Sequence, residues 1–416
     1  MKKRIIVIGG GIIGLCSALY ASKRGHEVVV LDGRPESYLG SSFGNAGLVS
    51  PSHFIPLAAP GTLKLALKWM MNPESPFYLK PRLDRDLISW GIKFMRAATA
   101  KRVATSAPLL ARLLLESQRG FEELAAEWDD EFKLVRRGIL NVCKTAEHLD
   151  HEAALGERAR AFGIPTEVLD ARALAALEPG IRIDAAGAVL WRDDAHVSPN
   201  LFMKSLRARL ASTVEIRPDT EVTGWSTSGG RVDSVVTTRG AVTGDEFVVC
   251  GGAWSPAVVK SLGIRLPLQA GKGYSLTLPH PKQAPTRPMI LMEGRVAVTP
   301  MNGALRFGGT MEITGNDESI NPARVRGILK TIPQYLPDFS PADFDGVEPW
   351  CGMRPCSPDG LPYIGRFRKY ANLVAATGHA MIGVSLGPGT GKLVAAIVSG
   401  EEPVMDLAPV APDRYA

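Results

Sequence analysis

The chain has 416 residues, 45% of them hydrophobic, 22% charged and 7% aromatic, with 43 glycines and 31 prolines. At about 100 to 200 residues per domain this length carries two or three domains with a sizeable core, and the composition excludes a disordered, collagen-like or coiled-coil chain. Lys plus Arg total 48 against 42 Asp plus Glu, a formal charge of +6. The excess is mild and unclustered apart from Lys2-Lys3-Arg4. No nucleic-acid partner is expected, whereas an anionic ligand or a weak attraction to anionic lipid stays open.

Residues 4–8 (RIIVI) form a short β-branched run of the kind that makes a strand buried on both faces of a parallel sheet. The run ends in Gly9-Gly10-Gly11, and Gly14 completes a G-x-G-x-x-G spacing on Gly9, Gly11 and Gly14. A helix opens at Ile12, carries Leu15, Ala18, Leu19 and Ser22 on one stripe, and stops at Gly25. A second strand, residues 28–31 (VVVL), ends in Asp32. The first glycine permits the tight turn, the second lets the backbone approach a pyrophosphate, and the third allows close helix–strand packing. The helix N-terminus supplies N–H donors, and Asp32 is placed to accept from a ribose hydroxyl pair. An acid at position 32 argues against the 2′-phosphate of NADP. The same glycines argue against reading the basic-apolar start as a signal peptide.

The chain then leaves the regular βαβ series at Ser41-Ser42-Phe43-Gly44-Asn45-Ala46-Gly47 and returns to sheet-like runs much later. Residues 246–250 (EFVVC) lead into Gly251-Gly252-Ala253-Trp254, and residues 373–376 (LVAA) lead into a glycine-rich loop, residues 378–391. Three distant loops, each leaving a strand at its carboxyl end, suit a large and extended cofactor, which describes FAD. Gly387-Pro388-Gly389-Thr390-Gly391 opens an apolar helix, residues 392–398, whose N-terminus is expected to face the flavin ring.

Between these runs, residues 188–196 and 264–312 contain short alternating strands with turns at Gly294 and Asn302-Gly303, as an antiparallel sheet requires. Residues 201–211 read as an amphipathic helix, residues 215–249 as a small meander, and residues 109–128 as a scaffold helix. The Pro-rich tail is expected to be loosely ordered. The five cysteines, Cys16, Cys143, Cys250, Cys351 and Cys356, form no C-x-x-C pair. Reduced thiols in a cytoplasmic protein are expected, with no metal site. No run of 18 apolar residues occurs. Residues 54–71 (FIPLAAPGTLKLALKWMM), with Leu63, Leu65, Leu67, Trp69, Met70 and Met71, are a candidate for a membrane interface, against an ordinary packed helix.

Together the sequence resembles the D-amino-acid oxidase superfamily of FAD enzymes, and within it the small-subunit type of bacterial D-amino-acid dehydrogenase. The resemblance rests on residues 5–32, Ser42 to Gly47 with Ser50-Pro51, Gly271-Lys272-Gly273-Tyr274-Ser275-Leu276 and Arg306-Phe307-Gly308-Gly309-Thr310. It continues in Trp350-Cys351-Gly352-Met353-Arg354-Pro355, Pro358-Asp359-Gly360 and Gly378-His379, in the family's order. It implies an α/β fold: a Rossmann-like FAD-binding domain (residues 1–50, 198–262 and 346–405) interleaved with an α+β, antiparallel-sheet substrate domain (51–197 and 263–345), then a tail (406–416). It also implies oxidative deamination of D-amino or cyclic imino acids by hydride transfer from the α-carbon to flavin N5. The acceptor is then a quinone or another non-oxygen acceptor, and peripheral contact with the cytoplasmic membrane is open. An oxidase acting on glycine, sarcosine or another amine is the same-fold alternative. A flavin-carrying subunit that depends on partner chains is the alternative of a different class.

Gly9, Gly11, Ile12, Gly14, Asp32, Ser42, Asn45, Ala46, Gly47, Val222, Gly251, Gly252, Trp254, Gly378, His379, Gly389 and Thr390 are the expected cofactor contacts. Arg354 is the expected partner of the substrate carboxylate, which suits a guanidinium fork. Tyr274 is expected as a second carboxylate contact or pocket wall, in competition with core packing, and His53 as a residue that tunes the pocket. His26, His148, His151 and His280 read as surface histidines. No general base is named.

Overall fold

The computed structural model of the chain describes residues 1–38, 40–70 and 72–416. Strand β1 (Arg4–Ile8), helix α1 (Ile12–Lys23) and strand β2 (Glu27–Leu31) form the expected unit. β1 lies between two parallel neighbours, β2 and β4 (Glu246–Val249). The sheet is completed by β3 (Val214–Arg217) beside β2, β9 (Leu373–Thr377) beside β4, and the antiparallel edge strand β8 (Tyr363–Arg366). Ile5, Ile6 and Val7 are fully buried because helices cover one face and a small antiparallel meander (Val222–Ser228, Arg231–Thr237, Gly240–Thr243) sits on the other side. α1 is buried all round, not on one stripe, since α5 (Gly387–Ser399) lies against it so closely that a Cβ on Gly391 would meet Cys16 O at 2.6 Å.

The second sheet is mainly antiparallel. Its order runs from β7 (Trp350–Cys356) through β5 (Gln269–Leu278), β6 (Ala304–Ile313), Val296–Met301 and Met289–Leu291. It continues to Ile139–Cys143, Gly187–Trp191 and Thr166–Asp170. Helix α4 (Pro322–Tyr335) packs Val325, Ile328 and Ile332 on one face, against Leu276, Val298 and Phe307.

Several expected boundaries shift. β7, expected within the FAD-binding unit, is an edge strand of the second sheet, because it pairs with β5 from Gln269↔Cys356 to Ser275↔Trp350. Helix α3 (Ala100–Glu127), expected within the substrate unit, packs Leu110, Leu113, Leu114, Phe121 and Leu124 into the core of α1 and α5. The tail is not loose. Val410 is fully buried, and Arg414 makes a two-point ion pair with buried Asp359, with both N···O distances at 2.8 Å. His26 is not a surface residue: it is 8% exposed, its Nδ1 accepts from Lys3 N and its Nε2 meets Ser399 Oγ at 2.8 Å. In the 54–71 segment a helix spans Thr62–Met70 with Leu67 exposed, and Met71 lies outside the described residues. All five cysteines are free thiols.

Candidate active site

At the carboxyl ends of β1 and β2, the backbone turns on glycines. Gly9 sits at φ 113°, and a Cβ there would strike Cys250 O at 2.5 Å, so the turn tolerates no side chain. A Cβ on Gly14 would come within 1.9 Å of Gly9 O, which is the close helix–strand contact the spacing predicts. Gly11 is different: the nearest atom to a Cβ there is Ser42 Oγ, at 3.5 Å, and that hydroxyl accepts from Ile12 N at 3.1 Å. Asp32 is half-buried and accepts from Gly10 N (3.0 Å) and Arg34 N (3.1 Å). Val222 begins the meander next to Glu221, whose Cα lies 3.3 Å from a Cβ built on Gly33. Gly251 follows β4, Gly252 (φ 53°) has nothing within 4 Å of a Cβ, and half-buried Trp254 carries the Arg34 guanidinium 5.3 Å over its ring. An open glycine turn, a helix N-terminus and an acid on the next strand fit the ADP half of a dinucleotide.

Residues 41–50 run from this glycine turn, which Ser42 meets, towards the second sheet, where Ser275 donates to Gly44 O. Asn45 Oδ1 accepts from Gly47 N at 2.8 Å, fixing the turn beside Ala46, and Gly47 needs φ 73° with Val197 O pressed against its Cα. Arg306 holds the loop from β6: its Nη1 donates to Phe43 O (3.1 Å) and Asn45 O (2.7 Å), and its Nε to Thr277 Oγ1 (2.9 Å). It has no carboxylate partner among the described residues, and burial pulls its pKa down to about 10. The sequence expectations assign this arginine no role. The available signal was a cation within the apolar run before Gly308-Gly309.

Arg354 stands on edge strand β7, opposite Gly271, and its guanidinium lies across Gly273, where a Cβ would be only 2.0 Å from Nη1. Its Nη1 donates to Thr310 O at 2.6 Å, and no carboxylate pairs with it among the described residues. Burial holds its pKa below the usual arginine range. Thr310 is a β-branched residue at φ 69°, a strained conformation that goes with the register irregularity beside it and turns its carbonyl towards Arg354.

The remaining expected site residues differ in their surroundings. Gly273 and Ser275 of β5 face Arg354 and the Gly44 carbonyl, so Tyr274 faces the opposite side of the sheet. There it is 1% exposed and its hydroxyl donates to Glu312 at 2.5 Å, which corrects the expectation of a carboxylate contact. His379 is 2% exposed and bonds Thr390 Oγ1 at 3.0 Å, so ring and hydroxyl latch the loop after Gly378 onto α5 instead of lining a pocket. Burial lowers the His379 pKa to about 3. Gly389 N donates to Ser117 Oγ of α3 at 3.0 Å, and Gly387 N to Val384 O, so these donors of α5 are met within the protein. The accessible part is the chain just before the helix, where Ala380 adopts φ 45° and Met381 is 44% exposed. His53 ends a short turn (Pro51–His53), is half-buried, and has its pKa lowered to about 4 by burial.

The sequence profile described as "FAD dependent oxidoreductase" (DAO) matches residues 4–397. The D-amino acid dehydrogenase of Granulibacter bethesdensis is 33% identical over 419 residues, covering 99% of this chain and 100% of its own. That of Allorhizobium ampelinum is 34% identical over 421 residues, with 99% of each chain covered. Among solved structures, glycine oxidase from Geobacillus kaustophilus superposes with a TM-score of 0.79 at 23% identity over 100% of this chain and 99% of that one. L-proline dehydrogenase from P. horikoshii gives 0.75 at 18% identity over 100% and 98%. The chain therefore belongs to the DAO family of FAD-dependent oxidoreductases, and its cofactor is FAD.

Proposed function

We propose that the protein oxidises D-amino or cyclic imino acids and passes the electrons to a quinone or another non-oxygen acceptor. The observation that carries this reading is Arg354, a half-buried arginine whose desolvated guanidinium has one carbonyl partner and no carboxylate among the described residues. A desolvated cation of this kind is stabilised by an anion arriving from outside, and the planar fork matches an α-carboxylate. Bound FAD supplies the acceptor for the α-hydrogen and its electron pair. The chain's residues then have to hold the substrate by its carboxylate, keep the flavin-lining loop in place through Arg306, and exclude water. The D-configuration and the dehydrogenase outcome are supported by relatives named D-amino acid dehydrogenase at 33–34% identity over the whole chain.

No helix among the described residues is long and apolar enough to cross a membrane. A lipid-embedded acceptor would be met at the surface, and helix α2 (Arg85–Ala97) supports this reading more strongly than the 54–71 segment does. Its Ile88, Ile92 and Met95 are 51%, 41% and 51% exposed, and Ile88 and Ile92 line a groove together with Arg85, Lys93, Arg96, Lys101 and Arg102. Apolar residues at this spacing with a basic fringe suit an anionic interface.

Mixing the holoenzyme with D-alanine, D-proline and their L-isomers under anaerobic conditions tests the reading. Bleaching by D-isomers without peroxide formation on admitting air is expected. Rapid peroxide formation would favour an oxidase, and flavin that no substrate bleaches would favour a dependent subunit.

A further inference from the structure

His53 is connected to a buried carboxylate that the substrate reading leaves without a task. Asp194 lies in the loop between Gly187–Trp191 and Ala195–His196 and is fully buried, without a cationic partner among the described residues. Its Oδ1 accepts from Ser52 N at 3.1 Å and its Oδ2 meets Ser52 Oγ at 2.5 Å. The same Ser52 Oγ lies 3.2 Å from His53 Nδ1. Asp194, Ser52 and His53 thus form one hydrogen-bonded line, and its far end, His53 Nε2, has no partner among the described residues.

The direction of each bond in such a line is dictated by the first member, because a hydroxyl has a single proton to donate. An ionised Asp194 only accepts, so the Ser52 O–H points at it, and Ser52 Oγ must accept from Nδ1–H of His53. The ring then carries its proton on Nδ1 and a lone pair on Nε2. A protonated Asp194 donates to Ser52 Oγ, Ser52 turns its own proton to Nδ1, and the ring must carry its proton on Nε2 instead. One proton on a carboxylate behind the turn reverses the polarity of the ring in front of it.

We propose that Asp194, acting through Ser52, sets the tautomer of His53, so that the ring offers an unprotonated Nε2 to the amino group of the bound substrate when Asp194 is ionised and an N–H when it is not. This rests on the reading that the turn after Val49 lines the amino-acid pocket. Asp194 and Ser52 are positioning residues. His53 is an acceptor that orients the amine, and it stays neutral because burial disfavours its imidazolium. Burial raises the Asp194 pKa to about 7, which places the reversal within the working range of a cell. The surroundings leave this control to the line itself. Asp193, on the same loop, is the one charged neighbour that raises Asp194 further. From α3 the contact is neutral Gln118, which donates to Asp193 O. Arg112 is spent on Val404 O, Glu116 pairs with Arg119, Arg192 pairs with Glu167, and Arg137 is exposed.

Two readouts on the FAD-loaded protein test the proposal. The first is histidine ¹⁵N NMR, which distinguishes the two ring tautomers without any substrate. His53 is assigned by its loss in His53→Gln. At about pH 8.5 the wild type should show Nδ1–H and at about pH 5.5 Nε2–H, on either side of the carboxylate's titration. Asp194→Asn donates to Ser52 as a protonated acid would, and should show Nε2–H at both values. The same tautomer in wild type and Asp194→Asn at the higher pH would overturn the proposal. The second readout is the pH profile of substrate-driven flavin bleaching. Asp194→Asn and Ser52→Ala should both lose the limb near neutrality and fall about ten- to hundredfold in kcat/KM at the alkaline plateau, the worth of one hydrogen bond to a charged or polar amine. An intact limb in both variants would overturn it as well. If the tautomers shift as stated while no amino acid bleaches the wild type, the relay stands and the substrate reading fails.

Discussion

Arg354 is costly to the fold and useful to the site for the same reason: its charge is desolvated and, among the described residues, has only Thr310 O to meet it. Arg354→Met should therefore weaken substrate binding by about 3 to 5 kcal/mol, the usual consequence of deleting one partner of a buried pair. Its melting temperature should equal or exceed that of the wild type, since the empty protein loses no ion pair. A KM within about twofold of the wild-type value would remove Arg354 from the carboxylate role. Asp194 makes a second, pH-linked prediction. Its folded pKa is near 7 against an ordinary 3.8, so between those values the folded state binds more protons than the unfolded one. Its contribution to stability then falls as pH rises from about 4 to about 7, and Asp194→Asn should remove that slope. Urea titrations of both proteins at the two ends of the window measure this, and parallel slopes would contradict it. His53, His196 and His379 act with the opposite sign, because burial lowers their pKa values to about 4, 4 and 3. They remove stability as pH falls through about 6.5, where the unfolded chain takes up their protons.

Elements whose signals are local were readable in the sequence. β1, the glycine turn, α1, β2, β4 and β9 lie where β-branched runs and glycines put them, because a strand buried on both faces needs no partner to be recognised. Partners and faces were not readable. β7 looks like any short strand until its register with β5 is known. Tyr274 could have faced either side, since a one-residue change of register exchanges the faces and an irregularity occurs at that point. For the candidate site, the place of the glycine turn after β1 and of Asp32 after β2 could be anticipated. Asp194 could not, because it meets Ser52 across 142 positions of sequence. The tail misled through composition: its prolines suggested looseness, whereas Arg414 stacks 3.9 Å over Tyr363 and pairs with Asp359 in the turn that follows β7. Arg414→Ala leaves Asp359 buried and unpaired, and should cost about 3 to 5 kcal/mol in a urea titration. An unchanged midpoint would show that the tail does not support that turn. For α2, Ile92→Asp should weaken binding to vesicles containing anionic lipid while leaving the flavin spectrum unchanged, and unaltered binding would exclude this face.

At the scale of the molecule, two sheets with separate cores are joined by the chain that runs from the nucleotide turn through residues 41–50. The nucleotide turn lies at one end of this bridge. Arg306 of the second sheet grips its middle through two carbonyls, and Arg354 waits on the edge strand beyond. Arg306 and Arg354 are two desolvated cations without acidic partners among the described residues, in a protein whose cofactor and proposed substrate are both anionic. Arg306→Leu removes the grip without touching the nucleotide turn, and should lower the share of protein purified with FAD. Full flavin content would mean that the loop holds itself.

The measurement that bears most directly on the whole account is anaerobic stopped-flow bleaching of the FAD-loaded protein by matched D- and L-amino acids, proline included, in wild type and Arg354→Met. The account predicts fast bleaching by D-isomers in the wild type and saturation shifted to much higher concentration in the variant. Bleaching by NADH but by no amino acid, or equal saturation in both proteins, would contradict it.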